Sequence, residues 1–353
     1  MKSNPCRMAS ALVPVVVAAW TPAAFACATC GCSLSTDAAM GYSTATGWQV
    51  SLQFDTIDQN QLRSGRHSVA YSDVAQINNN GGSQEVEKET NNRYYTLGIS
   101  YSPSADWNFR LLVPWVYRNH TTYGESPNPL TPDLISGAYV DSLGDMRLIA
   151  SYQGFLPTHN LGVQVGVKAP TGNYGGPNAD GTGTVGRHPV AFAYGPSSLN
   201  PSPANLLDTS LQPGTGSTDL VLGAYYYQAV SQNFDAFING QYQFAMLHKL
   251  DRPGEDFRPG NLVNVSVGLR YEKNPHIVPQ LQVNITHKSS DQGALADAAD
   301  SAGTVIYLSP GVTAMVAPNT HVYGFVQLPV YSQLQGYQLF PRWTATVGMS
   351  HAF

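Results

Sequence analysis

Long apolar runs are nearly absent from this chain of 353 residues, and the one that occurs lies at its start. Lys2 and Arg7 form a positive region ahead of an apolar stretch, 9–20, and Ala24-Phe25-Ala26 has the small-x-small form of a cleavage site, so residues 1–26 read as a secretory signal peptide. No later segment approaches the ~18 consecutive apolar residues that a membrane helix needs. If the remainder spans a membrane, it must do so as a closed barrel. Charge is scarce too, at 12% of residues. Setting Lys2 and Arg7 aside from the 18 basic residues leaves 16 against 23 acidic ones, a formal charge of −7. Phosphate binding needs clustered Lys and Arg, so this balance argues against nucleic acid as a partner. Catalytic signatures are also missing: no nucleophile elbow, zinc-protease helix or paired carboxylates at a defined spacing. The sequence therefore predicts no enzyme. His67, His120, His188 and His248 fall in or beside predicted outer loops, as solvated side chains unless those loops converge on one metal.

What the chain does have is period-two alternation. Segments of about ten residues alternate between apolar and polar and are separated by turn-rich stretches, the signature of a transmembrane β-barrel. Twelve are predicted, at 47–58, 93–101, 107–119, 143–154, 160–169, 217–228, 233–244, 261–272, 276–288, 303–315, 320–331 and 340–353. Successive side chains of a strand point to opposite faces. Val263, Val265, Val267, Leu269 and Tyr271 then share one face, and Asn264, Ser266, Gly268, Arg270 and Glu272 the other; Leu281, Val283 and Ile285 oppose Gln280, Gln282, Asn284 and Thr286. A soluble sandwich needs an apolar shared interior, whereas here the polar set must face in.

The connections alternate in length. Those at 102–106, 155–159, 229–232, 273–275 and 316–319 are short and rich in Pro, Asn and Ser, as turns are. Those at 59–92, 120–142, 170–216, 245–260, 289–302 and 332–339 are longer, and long loops are extracellular in such barrels. Both ends of the barrel domain, 47–353, are thus expected in the periplasm. At the C-terminal end Trp343, Ala345, Val347, Met349, His351 and Phe353 alternate with Arg342, Thr344, Thr346, Gly348, Ser350 and Ala352. A final strand ending on an aromatic resembles bacterial outer-membrane proteins, in which it carries the assembly signal. The resemblance implies an outer-membrane location, with outer-membrane lipid and the barrel-assembly machinery as partners.

Val167-Lys-Ala-Pro-Thr-Gly-Asn-Tyr-Gly-Gly176, a Gly-rich loop, and then Pro213-Gly-Thr-Gly-Ser-Thr-Asp-Leu-Val-Leu-Gly223 resemble the outer-membrane transporter family named after the meta pathway of phenol degradation. In that family a Pro-Thr-Gly closes one strand and Gly-Thr-Gly-Ser-x-Asp opens the next. The resemblance implies a porin-like β-barrel that takes up small, often aromatic or apolar, solutes. In physical terms Pro170 and Gly172 end a strand at the outer rim, and Gly214 and Gly216 release the chain into the next.

Cysteine is confined to the first 32 residues. With Cys6 lost in the signal peptide, Cys27, Cys30 and Cys32 remain on a periplasmic arm, 27–46. Three readings stay open: a Cys27–Cys30 disulfide with Cys32 unpaired in an oxidising compartment, a thiolate site for Cu, Zn or another thiophilic metal, and lipidation of Cys27. The arm could also plug the barrel or present its thiols to a periplasmic partner.

Alternation places Asp55, Arg110, Asp145, Arg147, Lys168, Asp219, Asp235, Arg270, Glu272, Lys288 and Arg342 inward, with both signs mixed. A ring of one sign would predict ion selectivity; a mixture predicts wall-stiffening ion pairs or a weak polar track. Asp55, Arg110, Arg147, Lys168, Asp219, Asp235, Arg270 and Arg342 are the candidate lumen residues, and inward Tyr94, Tyr225, Tyr227 and Phe237 offer stacking surface to aromatic solutes. The sequence thus predicts an all-β, roughly twelve-stranded antiparallel transmembrane barrel that conducts small solutes. Two alternatives remain: a metal-handling or redox-associated barrel built around the cysteines, and a non-conducting surface barrel.

Overall fold

The computed structural model describes residues 45–199 and 205–353. Its strands are β1 (Gly47–Gly65), β2 (His67–Ser68), β3 (Glu87–Ser102), β4 (Trp107–Thr122), β5 (Ser136–Leu143), β6 (Arg147–Tyr152), β7 (Leu161–Lys168), β8 (Tyr174–Pro177), β9 (Thr184–Arg187) and β10 (Phe192–Tyr194). They continue as β11 (Ser217–Ala229), β12 (Phe234–His248), β13 (Leu262–Tyr271), β14 (Ile277–Lys288), β15 (Gly303–Ala317) and β16 (Thr320–Ala352). Eleven elements close a ring in the order β4-β3-β1-β16-β15-β14-β13-β12-β11-β7-β6, with β6 returning to β4. The ring pairings are antiparallel. The long β16 counts twice: 320–334 pairs with β15 and 338–352 with β1. Gly336, at φ +62°, turns the chain between the two halves, because a residue without Cβ adopts that conformation at no steric cost. The wall therefore has twelve staves, as the alternation predicts.

The faces sort as expected. On β14 Leu281 and Val283 are exposed on the outside, while Gln280, Gln282, Asn284 and Thr286 are buried within. Val267 and Leu269 on β13, Leu148 on β6 and Val347 and Met349 on β16 continue the outer apolar band. Such a band is stable only against lipid, where the closed ring leaves no strand edge unpaired. Near the short turns the band ends in aromatic pairs: Trp48 with Tyr101, ring centroids 4.7 Å apart, Trp107 with Tyr152 at 4.8 Å, and Phe234 with Tyr271 at 5.0 Å. Amphipathic rings are suited to headgroup level.

Two expected connections and one expected strand differ from the structure. The segment 332–339 is not a loop, because both arms of the β16 hairpin run through it. The segment 59–92 is largely ordered: β1 and β3 extend into it, and a helix, α1 (Tyr71–Asn79), packs Val74 and Ala75 against Leu62, Val86 and Leu339. The single strand expected at 143–154 is two, β5 and β6, both lying on β4, with Gly144, Asp145 and Met146 between them.

Candidate functional site

The interruption between β5 and β6 is where the two Gly-Thr-containing segments meet. Pro170 has no N–H to continue the ladder beyond β7, and the chain turns in over the gap. The Thr171 hydroxyl donates to the Gly144 carbonyl (2.7 Å) and accepts from the Met146 amide (2.9 Å). Asp145 gathers the rest. Its carboxylate accepts from the amides of Gly172 (3.1 Å) and Thr215 (2.9 Å) and from the Thr215 hydroxyl (3.0 Å). The Lys168 ammonium lies 3.1 Å from Asp145 and 3.2 Å from Asp219. Asp219 also accepts from the Ser217 hydroxyl (2.5 Å) and from the Gln243 amide (2.6 Å). Gly172 and Gly214 cross here so closely that a Cβ on Gly172 would come 2.9 Å from the Gly214 Cα. The motif is thus a knot that fastens the 170–216 connection to the wall.

From this knot the chain enters the barrel. Leu207 and Leu211 bury against Val116, which β4 turns into the lumen, and against Ala138 and Val140. Arg118, on the same face of β4 as Val116, holds them: it donates to the Leu211 carbonyl, to Asn92 Oδ1 (2.6 Å) and to the Tyr94 hydroxyl (3.0 Å). Gln212 ties the segment to itself, donating to the Leu207 carbonyl (2.6 Å) and accepting from the Val190 amide (2.7 Å).

Below this constriction lies a lumenal cavity of about 290 Å³. Tyr94, Leu112, Pro114, Val116, Phe257 and Leu262 form its apolar side. Four cations, Arg118, Arg147, Lys168 and Lys288, face four carboxylates, Asp55, Asp145, Asp219 and Asp291. Most are engaged: Lys288 lies 2.8 Å from Asp291, and Asp55 accepts from Gln53 (2.9 Å) and Thr346 (2.6 Å). An outer cavity of about 660 Å³ is lined by Tyr174, Val185, Arg187, Lys249, Leu250 and Arg252, among others. Between the two stands an apolar cluster of Leu250, Phe257 and Leu295, with Tyr174 and Val185 packed on it.

No protein-family model matches the chain, and no curated protein sequence does. In three dimensions it is similar to an outer-membrane channel from Pseudomonas putida F1, at 10% identity over 91% of this chain and 100% of that one, with a TM-score of 0.58. The fold is that of an outer-membrane channel. More distant likenesses are the toluene transporter TbuX of Ralstonia pickettii (13% identity, 95% of this chain and 98% of that one, TM-score 0.42) and the NanC porin (8%, 86% and 100%, 0.40).

Of the candidate lumen residues, Asp55, Arg147, Lys168 and Asp219 converge on the inner cavity of this channel fold. Arg110 lies away from its lining and donates to the Ser100 hydroxyl (2.9 Å). Asp235 and Arg270 are opposite each other in register near the short turns, with Arg270 2.9 Å from Glu272. Arg342 is exposed beside Trp343, where β16 slips in register against β1. Cys27, Cys30 and Cys32, with the signal peptide and nearly all of the arm, lie outside the described residues. Among the described residues no three His, Cys, Asp or Glu side chains form a metal-binding group; His120 is buried, with Nδ1 2.8 Å from the Thr90 hydroxyl. Arg118 is not among the residues expected in the lumen from the sequence, although it shares the parity of Arg110 on β4. Alternation carried to the end of that strand places it inward.

Proposed function

We propose that the protein is a channel of the bacterial outer membrane that passes small solutes, with ring-bearing or apolar compounds as preferred cargo, and that it has no catalytic role. One observation carries this reading: a closed, lipid-facing barrel encloses a cavity of about 290 Å³ with one apolar, aromatic-bearing side. An apolar cavity of roughly 150 Å³ already accommodates benzene, so a substituted ring fits. Pockets of this kind take their affinity from apolar walls and their orientation from a few polar groups. The fold shared with the Pseudomonas putida channel supports the same reading. The Leu250, Phe257 and Leu295 cluster stands between the two cavities, so passage from one to the other requires those side chains to part.

Planar-bilayer conductance of the refolded protein from Cys27 onward, beside a version that starts at Ser33, tests the proposal. Discrete steps that small aromatic solutes shorten are expected in at least one of the two. Silence from both, with heat-modifiable folding verified on gels, overturns it.

A further inference from the structure

The four cations around the inner cavity are not equivalent. Lys168 is held between Asp145 and Asp219, Lys288 by Asp291, and Arg118 by Asn92, Tyr94 and the Leu211 carbonyl. Arg147 makes no direct hydrogen bond or ion pair with a described residue, although Asp219 and Asp145 act on it as nearby charges. It is nevertheless turned inward: on β6 its neighbour Leu148 is 56% exposed on the lipid face, and Arg147 stands opposite Lys168 in register. Asp219 and Asp145 compensate its charge from nearby, but neither bonds to it directly. The oxygens of Asp145 are already bonded to two amides, a hydroxyl and Lys168, and those of Asp219 to Ser217, Gln243 and Lys168. The Arg147 guanidinium thus lines, without a direct partner, a cavity whose other side is apolar.

A planar fork of donors matches a carboxylate in a bidentate pair, and in a site largely withdrawn from water such a pair is stronger than at a surface. We infer that Arg147 is the anchor of a binding site for small ring-bearing carboxylates: the acid group pairs with its guanidinium, and the ring lies against Tyr94, Leu112, Val116 and Phe257. The outer cavity favours the approach of such anions, since Arg187, Lys249 and Arg252 line it against Asp251 and Glu255. This inference rests on the channel reading and narrows it to a class of solute.

Calorimetric titration of the refolded protein in detergent at pH 7.5, with benzoate and with its neutral isostere benzamide as probes, tests it. The wild type is expected to bind benzoate at least about tenfold more tightly than benzamide, the scale of one charge-assisted pair over a neutral contact. Arg147→Gln should abolish that preference while benzamide still binds, which shows that the cavity survives. Arg147→Lys, a point charge without the fork, should keep part of it. An unchanged preference in Arg147→Gln overturns the assignment, as does a wild type that binds neither probe. Conductance steps are recorded separately, so loss of the carboxylate site and loss of the channel reading are distinguishable.

Discussion

The ammonium of Lys168 lies 3.1 Å from the carboxylate of Asp145, with only 4% and 8% of the two side chains exposed. The pair joins the upper end of β7 to the gap between β5 and β6, and through Thr215 it holds the 170–216 connection. Removing one partner of a buried pair leaves the other charge uncompensated, at a cost of about 3–5 kcal/mol. Asp145→Asn should therefore lower the unfolding midpoint measured by heat-modifiability on gels. Arg110→Gln, away from this knot, should shift it far less.

Arg118 holds the inserted segment in the lumen. Hydrogen bonds to a charged group each contribute about 1.5–3 kcal/mol, and Arg118→Ala removes several together. Leu207 and Leu211 lose their tether, and single-channel conductance should rise above that of the wild type. Equal conductance would mean that the apolar packing on Val116 suffices to hold the segment.

The apolar cluster between the two cavities sets a second barrier. Trimming Leu250 to Ala takes a buried side chain out of this apolar cluster, and hydrophobic constrictions gate by dewetting. Leu250→Ala should raise the fraction of time spent in the open state, and Leu250→Phe should lower it.

Charge has opposite consequences on the two faces. Val267, 45% exposed on the outer band, should tolerate Leu, whereas Val267→Arg should cost about 2–4 kcal/mol near the midplane. Urea titration of the protein refolded into lipid vesicles would measure both.

A pH dependence is built into the outer cap. Glu85, which precedes β3, is pushed from its ordinary 4.5 up to about 7, first by burial and then by the negative charges of Asp297, Glu125 and Asp300, against a hydrogen bond with Thr122. Burial raises Asp300 as well. A carboxyl whose folded value is raised binds more protons folded than unfolded, so its contribution is complete below about pH 4.5 and is lost as pH rises through about 7. Hydrogen-exchange protection factors of residues 83–88, taken relative to the intrinsic rate at each pH, should be lower at pH 8 than at pH 5.5, and Glu85→Gln should flatten the difference.

The sequence discloses the wall because each stave repeats one local rule: Gln280 to Thr286 alternate without a break, and lipid on one side forces the pattern. Short turns are legible for the same reason, since 102–106 and 273–275 carry their own turn chemistry. The site is less legible. Nothing local in Gly144-Asp145-Met146 announces a gap, because the gap exists only when Thr171, Gly172 and Thr215 arrive to fill it. Helix α1 is hidden inside a polar stretch and stabilised by Leu62 and Leu339, far away in sequence. Asp55, Lys168 and Asp219 are readable as inward from parity alone, but their grouping with Arg147 around one cavity depends on which staves neighbour each other.

The pairing of β1 with 338–352, running from Gln49 opposite Ala352 to Arg63 opposite Gln338, joins staves nearly three hundred residues apart. Until residues 338–352 are in place, one side of β1 is a row of bare donors and acceptors able to pair with any other strand. Closure is therefore a single long-range event that comes late, of the kind that slows folding because the loop entropy must be met before the contact forms. The same seam that removes every edge from the finished wall makes the unfinished chain dependent on shelter.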